Sequence, residues 1–186
     1  MRKTNLLILP VMLMTVMFLP APALNASAGS PQVNARLVKQ VRHELATLPY
    51  YGVFDWLEFE TRPDGTVVLR GYVTRPTTKS DAEARVKDIE GVRNVVNEIQ
   101  VLPLSPQDDR LRIALYRQIY NWDSPLFRYA TQAIPSIHII VDHGRAILKG
   151  VVDSKADAQL AYMRARSVPG LFDVKNELVV ESELPR

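Results

Sequence analysis

Residues 65–101, GTVVLRGYVTRPTTKSDAEARVKDIEGVRNVVNEIQV, recur 79 positions later as residues 144–180, GRAILKGVVDSKADAQLAYMRARSVPGLFDVKNELVV. The two stretches align without a gap. They share a leucine (Leu69, Leu148), three glycines (Gly65, Gly144; Gly71, Gly150; Gly91, Gly170) and an Asn-Glu pair at matching positions. A register held across both stretches indicates a tandem duplication.

Each copy contains a β-rich run, a polar helical segment, a glycine turn and a second β-rich run, which is typical of a right-handed βαβ crossover with parallel strands. An amphipathic helix and one alternating strand precede each copy, with Leu37, Val41 and Leu45 at helical spacing in the first. The sequence therefore predicts an α+β protein of two tandem αββαβ units. Each unit is expected to form a three-stranded mixed sheet with two helices packed on one face.

The chain starts with features of a secretory signal peptide. Arg2 and Lys3 precede an apolar run over residues 6–19, and residues 26–28, Ala-Ser-Ala, form a small-residue cleavage site. An uncleaved anchor is the alternative. We expect a signal peptide at 1–28, a first repeat at 36–102, a linker at 103–109 and a second repeat at 110–181, with about five extra residues in the loop 121–136 of the second repeat.

Composition excludes several classes of function. The chain has no cysteine, so it carries no disulfide, no thiol nucleophile and no lipidated cysteine. Removing Arg2 and Lys3 from the 23 basic residues leaves 21 against 20 acidic ones, which gives no general attraction to nucleic acid. An exported chain without cysteine is expected in the periplasm, either soluble or peripherally bound to a membrane.

Two pairs of repeated residues predict structural roles. Gly71 and Gly150 lie late in a predicted strand, where we expect close packing of the first helix of each repeat rather than a ligand. Asn97 and Asn176 are expected to bond to nearby backbone at the start of the last strand.

No arrangement of residues indicates catalysis. His43, His138 and His143 match no metal-ligand spacing, and no serine lies in a Gly-x-Ser-x-Gly turn. Glu58 and Glu60 share one face of a predicted strand, where they are expected to be solvated. The sequence predicts no enzyme, no cofactor and no metal site.

The repeated motifs resemble the BON domain. They are Leu-x-Gly-x-Val at residues 69–73 and 148–152, and a Gly-[Val/Leu]-x-x-Val-x-Asn-Glu-[Ile/Leu] motif at residues 91–99 and 170–178. The resemblance covers both repeats and is similar to the tandem periplasmic osmotic-stress proteins of that family. It implies an αββαβ fold, no catalysis and phospholipid binding at the bacterial envelope. In some relatives, which are lipoproteins, the first helix of the second domain meets anionic lipid; without a lipidated cysteine, membrane contact here would be reversible.

One aromatic and basic cluster is the candidate binding site. It spans the first helix of the second repeat and the loop after it, and its members are Arg112, Tyr116, Arg117, Tyr120, Trp122, Phe127, Arg128 and Tyr129. Aromatic rings favour the headgroup zone of a bilayer, and cations add attraction to anionic lipid. The alternative is that the aromatic rings fill the small core or the contact between repeats.

The function predicted from sequence is reversible association with an anionic phospholipid surface, contributing to envelope integrity under osmotic or related stress. The alternative is a periplasmic protein-protein adaptor or chaperone-like protein that does not bind lipid. Neither hypothesis involves nucleic acid or a small-molecule substrate.

Overall fold

The computed structural model describes residues 31–184, with side chains from residue 35 onward. The predicted signal peptide lies outside the described residues. The first repeat contains α1 (Pro31–Ala46), β1 (Trp56–Thr61), β2 (Thr66–Val73), α2 (Pro76–Lys87), β3 (Asn94–Asn97) and β4 (Gln100–Val101). The second contains α3 (Pro106–Ile119), a 3₁₀ helix (Pro125–Thr131), β5 (Ile137–Asp142), β6 (Arg145–Val152), α4 (Lys155–Arg166) and β7 (Asp173–Val180), and a short 3₁₀ turn, Glu181–Glu183, follows.

Each repeat forms the predicted mixed sheet. In the first, β2 is central, antiparallel to β1 and parallel to β3 and β4, which together form the interrupted third strand. In the second, β6 is central, antiparallel to β5 and parallel to the unbroken β7. The prediction of two αββαβ units is confirmed.

The helices of each repeat pack against the same face of its sheet. In the first repeat, Val41 of α1 and Val86 of α2 share one apolar cluster with Val67 and Leu69 of β2. In the second, Leu115 of α3 and Ala161 of α4 share one with Leu148. Alternate residues of the central strand supply this face because the side-chain period of a strand is two. Each sheet therefore has one face against its helices and one face turned away from them.

The repeats meet along the outer edge of β5. Residues 52–55, which we call the edge-capping segment, connect α1 to β1, yet they lie beside a strand of the second repeat. The Ile139 N–H donates to the Val53 carbonyl at 2.8 Å, and Val53 and Phe54 pack against the second core. A strand edge left bare is a template for pairing with other chains, so this segment protects the edge.

Side chains extend this contact. The imidazole of His138 is buried, with Nδ1 2.6 Å from the Asp55 carbonyl oxygen, and its ring lies 5.7 Å from the ring of Tyr51 and 5.0 Å from that of Trp56. Lys149 donates to Glu58 across the two repeats at 2.7 Å. Among the described residues, the repeats are joined by a backbone bond, the bond between the His138 imidazole and the Asp55 carbonyl, apolar packing and an ion pair.

Gly71 and Gly150 contact a neighbouring strand, which corrects the expectation that the first helix packs there. A Cβ at Gly71 would lie 2.0 Å from the Trp56 carbonyl oxygen, and one at Gly150 would lie 1.9 Å from that of Ser136. Their φ angles are +122° and +123°, a conformation that L side chains rarely adopt. Glycine is required in both repeats because the chain that enters the first strand crosses directly over it.

Asn97 and Asn176 link the last strand to a helix as well as to local backbone. The Asn97 side-chain oxygen accepts from the Ile99 N–H, as predicted, and its amide donates to the Lys79 carbonyl of α2. Asn176 repeats both bonds, with the Leu178 N–H and with the Ala158 carbonyl of α4. This amide therefore helps to fix the second helix of each repeat on its sheet.

The helix α3 begins at Pro106, four residues before the predicted start of the second repeat. Ser105 caps it, since its hydroxyl accepts from the Asp108 N–H, and Pro106 suits the first helical position, which needs no N–H donor. The last residues of the predicted 103–109 linker are therefore helical.

Candidate functional site

The helix α3 is held against its sheet at both ends. Near its start, the buried Asp108 carboxylate accepts from the N–H groups of His143 and Gly144 in the β5–β6 turn, at 3.0 and 2.8 Å. At its end, the Tyr120 hydroxyl donates to the Ile137 carbonyl at 2.6 Å. Between these points, one apolar side is buried in the core, and Ile113 and Arg117 remain on the exposed side.

The loop 121–136 presents two large aromatic rings to solvent. Its 3₁₀ helix is capped by Ser124, whose hydroxyl accepts from the Leu126 N–H, and the buried Leu126 anchors the loop in the second core. The side chains on either side of this anchor point outward, with Trp122 80% exposed and Phe127 44% exposed. An exposed tryptophan forgoes the apolar burial that the core could have supplied.

Three of the eight predicted binding residues lie in the interior, where no lipid can contact them. Arg112 is 4% exposed, and its guanidinium donates to the Asp109 carboxylate and to the Val141 carbonyl. Tyr120 and Tyr129 are buried in the second core, and burial raises the pKa of Tyr120. These two rings fill the core, as the alternative stated from the sequence proposed.

Arg128 is on the surface but is engaged within the protein. It pairs with Asp157 at 2.7 Å and with Asp153, and its guanidinium carbon lies 4.6 Å from the centre of the Tyr129 ring. Burial raises the pKa of Asp157, but hydrogen bonds from Ser154 and Tyr129 and the charge of Arg128 lower it more, so the pKa falls below its ordinary value. Arg128 therefore holds the loop 121–136 on α4 and offers less free charge than Arg117.

An apolar groove of about 460 Å³ runs beside α3. Its walls include Phe54 from the edge-capping segment, Ile113, Tyr116 and Arg117 from α3, and Ile134 and Pro135 from the loop. The Phe54 and Tyr116 rings meet edge-on with centroids 6.3 Å apart. Tyr116 and Arg117 were predicted as binding residues from the sequence, whereas the other residues of the groove were not. Phe54 is distant along the chain, and Ile113 is a single apolar residue on a polar helix side, so neither gave a usable signal.

Exposed apolar and basic side chains lie on α3 and on the loop that follows it in sequence. We call Ile113, Arg117, Trp122 and Phe127 the α3 surface. The apolar side chains of the α3 surface can insert partly into an apolar layer, and its arginine attracts anions. None of its four residues is a nucleophile or a general base. Among residues 31–184, no group of histidines and carboxylates is placed to hold a metal ion, and no helix is long and apolar enough to cross a membrane.

Comparison with known proteins matches both halves of the chain. The family model of the BON domain matches residues 35–103 and 123–182. No curated protein matches the sequence.

Solved structures give only a distant likeness. One is a structure of CdsD, a structural protein of the type III secretion system of Chlamydia trachomatis, at 14% identity and a TM-score of 0.30, over 81% of this chain and 93% of that one. A second, of the C-terminal domain of CdsD, has 15% identity and a TM-score of 0.30, over 80% of this chain and 98% of that one. Such TM-scores are too low to support conclusions about this protein.

Proposed function

The chain belongs to the BON domain family, and from this premise we propose that it binds anionic phospholipid surfaces reversibly through the α3 surface. BON domains are non-catalytic binding modules associated with membranes and phospholipid. The proposal places the protein in the periplasm as a soluble or peripheral protein. There it would contribute to envelope integrity under osmotic or related stress.

The exposure of Trp122 is the observation that carries the proposal. It is 80% exposed on the loop that also carries Phe127, and Leu126 and Ser124 fix the backbone of that loop. Indole rings favour the interface between water and lipid, and a preorganised loop loses little entropy on binding. Arg117 supplies positive charge on the neighbouring helix, worth about 1 kcal/mol near an anionic membrane.

The structure changes the roles proposed for the eight residues. We propose that Tyr116, Arg117, Trp122, Phe127 and Arg128 contact lipid or border the contact. Arg112, Tyr120 and Tyr129 would act by positioning α3 and the loop. The exposed Ile113 joins the proposed contact residues.

The test is flotation of the chain from Gly29 to Arg186 with vesicles of phosphatidylglycerol and of phosphatidylcholine, at low and at physiological salt. We expect binding to phosphatidylglycerol only, weakened by salt. Arg117→Ala should lower the partition coefficient roughly fivefold, which corresponds to about 1 kcal/mol, and Trp122→Ser with Phe127→Ser should lower it further.

Matched controls distinguish binding through the α3 surface from non-specific membrane binding. Phe172→Ser removes an aromatic ring that is 82% exposed and lies outside the α3 surface, and Arg36→Ala removes an exposed arginine on α1. Both should leave binding unchanged. Equal losses in the control and α3 variants would contradict the proposed site, and no binding to either vesicle would contradict the proposed function.

The alternative function, a protein-protein adaptor, has support in the outer edge of β1. Among the described strands, β2 is the strand that pairs with β1, so β1 lies at the end of its sheet, and strands at the end of a sheet can add a strand from a partner. Saturable binding of an envelope protein in the absence of lipid, together with no vesicle binding, would favour this function.

A further inference from the structure

The groove beside α3 is lined by both repeats and carries a single positive charge. Its walls come from three separate parts of the chain: the edge-capping segment, α3 and residues 133–135. Among its described lining residues, Arg117 is the one with a charge, and none is acidic. Four other grooves in the described part of the chain each include both an acidic and a basic residue. The groove beside α3 therefore suits an apolar ligand that carries a negative charge.

The edge-capping segment forms a fixed wall of this groove. The buried Asp55 carboxylate accepts from the Gly52 N–H at 3.1 Å and from the N–H and hydroxyl of Thr74 at 2.6 and 2.9 Å. The Val53 carbonyl accepts from the Ile139 N–H. Because these polar groups already have partners, a ligand in the groove does not have to satisfy them. The segment thus offers an apolar wall.

The walls from the second repeat are also held in place. Asp108 fixes the start of α3 on the β5–β6 turn. At the end of α3, the Tyr120 hydroxyl donates to the Ile137 carbonyl and accepts from the Ile137 N–H at 3.1 Å. Ile137 follows Pro135 by two positions, so these bonds also fix the end of the segment that carries Ile134. A groove with walls fixed before binding loses little entropy when a ligand enters.

The groove has the size of a small-molecule site. Its volume of about 460 Å³ lies within the range of about 300–1,000 Å³ that is typical of such sites. Ile113 is exposed and Ile134 is half-buried, so a ligand can remove apolar surface of the groove from water. Each buried CH₂ group of a ligand adds to its affinity. A groove of this size favours one apolar chain over a folded protein partner.

We propose that the groove binds the acyl chain of a single anionic lysophospholipid molecule, whose phosphate pairs with Arg117. This inference rests on the proposed function and deepens it, since it adds a site for a lipid monomer to the contact with a lipid surface. Charge complementarity selects this occupant, because the phosphate meets an arginine and no carboxylate among the described groove residues. A lipid with two acyl chains would leave one chain in water, so a lipid with one chain is the class that binds from solution.

The site needs both repeats in contact. Phe54 of the first repeat and Tyr116 of the second meet edge-on at the groove, so separation of the repeats removes one wall. A ligand that binds only the assembled form stabilises that form in proportion to its concentration. The melting temperature should therefore rise as the lysophospholipid concentration increases.

Isothermal titration calorimetry of the chain from Gly29 to Arg186 with oleoyl lysophosphatidylglycerol, kept below its micellar concentration, tests the proposal. We expect one lipid per chain and roughly fivefold tighter binding than for oleoyl lysophosphatidylcholine, with no such preference in Arg117→Ala. In NMR spectra, the acyl chain should show nuclear Overhauser effects to the methyl groups of Ile113 and Ile134. No binding, or binding of several lipids per chain, would overturn the proposal.

Groove variants locate the bound chain. Ala133→Trp fills the groove and should weaken binding at least about tenfold, because less apolar surface is left for the acyl chain to cover. Ile113→Ser is a second variant that removes part of a wall without adding bulk, and it should also weaken binding. Ala84→Trp is the matched control, because Ala84 is exposed on α2 and does not line the groove. Circular dichroism checks that each variant is folded, and folded groove variants that bind like the control would overturn the site.

Vesicle flotation distinguishes this groove from the proposed membrane contact. Ala133→Trp should still float with phosphatidylglycerol vesicles. Trp122→Ser with Phe127→Ser should lose flotation and still bind the lysophospholipid, because neither residue lines the groove. Flotation of the wild-type chain without lysophospholipid binding would overturn the groove proposal alone, whereas lysophospholipid binding without flotation would contradict the proposed membrane function.

Discussion

Single residues in this protein show how a shared position in two repeats reflects a shared physical need. Gly71 and Gly150 have nearly the same φ angle, and in both cases the place of a Cβ is taken by a backbone carbonyl oxygen at the start of the first strand, that of Trp56 in β1 or of Ser136 just before β5. A side chain there cannot be accommodated by moving a flexible group, since the obstacle is backbone. The glycine pair thus preserves the start of the first strand in each sheet.

We predict that Gly150→Ala lowers the free energy of unfolding by roughly 3 kcal/mol or more, through steric overlap with Ser136 and an unfavourable φ angle. Urea unfolding monitored by circular dichroism measures the loss. Gly52→Ala is the matched control, because a Cβ there would meet only the Tyr50 carbonyl oxygen at 4.0 Å. A loss at Gly150 no larger than at Gly52 would contradict this account.

At the scale of elements, α3 depends on one buried carboxylate. Asp108 is 1% exposed and accepts two backbone hydrogen bonds from the β5–β6 turn, so it fixes the start of the helix that carries Ile113 and Arg117. Hydrogen bonds to a charged acceptor are stronger than those to a neutral one. The orientation of the α3 surface therefore depends on a residue on the opposite side of the helix.

We predict that Asp108→Asn lowers the free energy of unfolding by about 2 kcal/mol, the scale of hydrogen bonds to a charged group. Asp123→Asn, an exposed change in the loop, should cost less than about 0.5 kcal/mol. Thermal and urea unfolding of the two variants measure the difference. Equal costs would show that the Asp108 bonds do not hold the helix.

The elements were more predictable than the site. Strands, helices and glycine turns follow from periodicities within one repeat, and the model confirms the two αββαβ units. The break between β3 and β4 was not predicted. Arg112 was predicted to bind lipid because cations beside aromatic residues attract anionic lipid. The buried Arg112 donates to the Val141 carbonyl of β5. Val141 is distant in sequence, so the helical periodicity of α3 does not predict this contact.

The same limit applies to the groove beside α3. Tyr116 and Arg117 belong to one helix and could be proposed from sequence. Phe54 could not, because it comes from the other repeat and reaches the groove only when residues 52–55 lie on β5. A sequence pattern within one repeat carries no information about the contacts between the two repeats.

For the whole molecule, the junction between the repeats contains a buried histidine, His138. Burial lowers the pKa of His138, while bonds to the backbone of Asp55 and Gly52 oppose this change. The rings of Tyr51 and Trp56 face it, the Asp55 carboxylate and the Lys149–Glu58 pair are the nearby charges, and Lys149 is its partner on β6. The folded contact between the repeats therefore favours the neutral form of the His138 imidazole.

Because the pKa of His138 is lower in the folded protein, the unfolded chain binds the proton more readily. The contribution of His138 to the free energy of unfolding is therefore complete above about pH 6.5, the ordinary pKa of histidine, and decreases as the pH falls below that value. We predict a lower melting temperature at pH 5.5 than at pH 7.5, and a smaller difference in His138→Gln. The carboxyl groups with lowered pKa, among them Glu58 and Asp157, titrate below this window. An equal pH difference in both proteins would contradict the role of His138.

The cover that residues 52–55 provide for β5 also bears on how the duplication is inherited. A single repeat left by deletion of the other would have to fold alone. Here the second repeat alone would expose the strand edge and the apolar groups that Val53 and Phe54 cover. The first copy completes the second, so the two are no longer interchangeable, and selection for a chain that stays folded acts on the pair as one heritable unit.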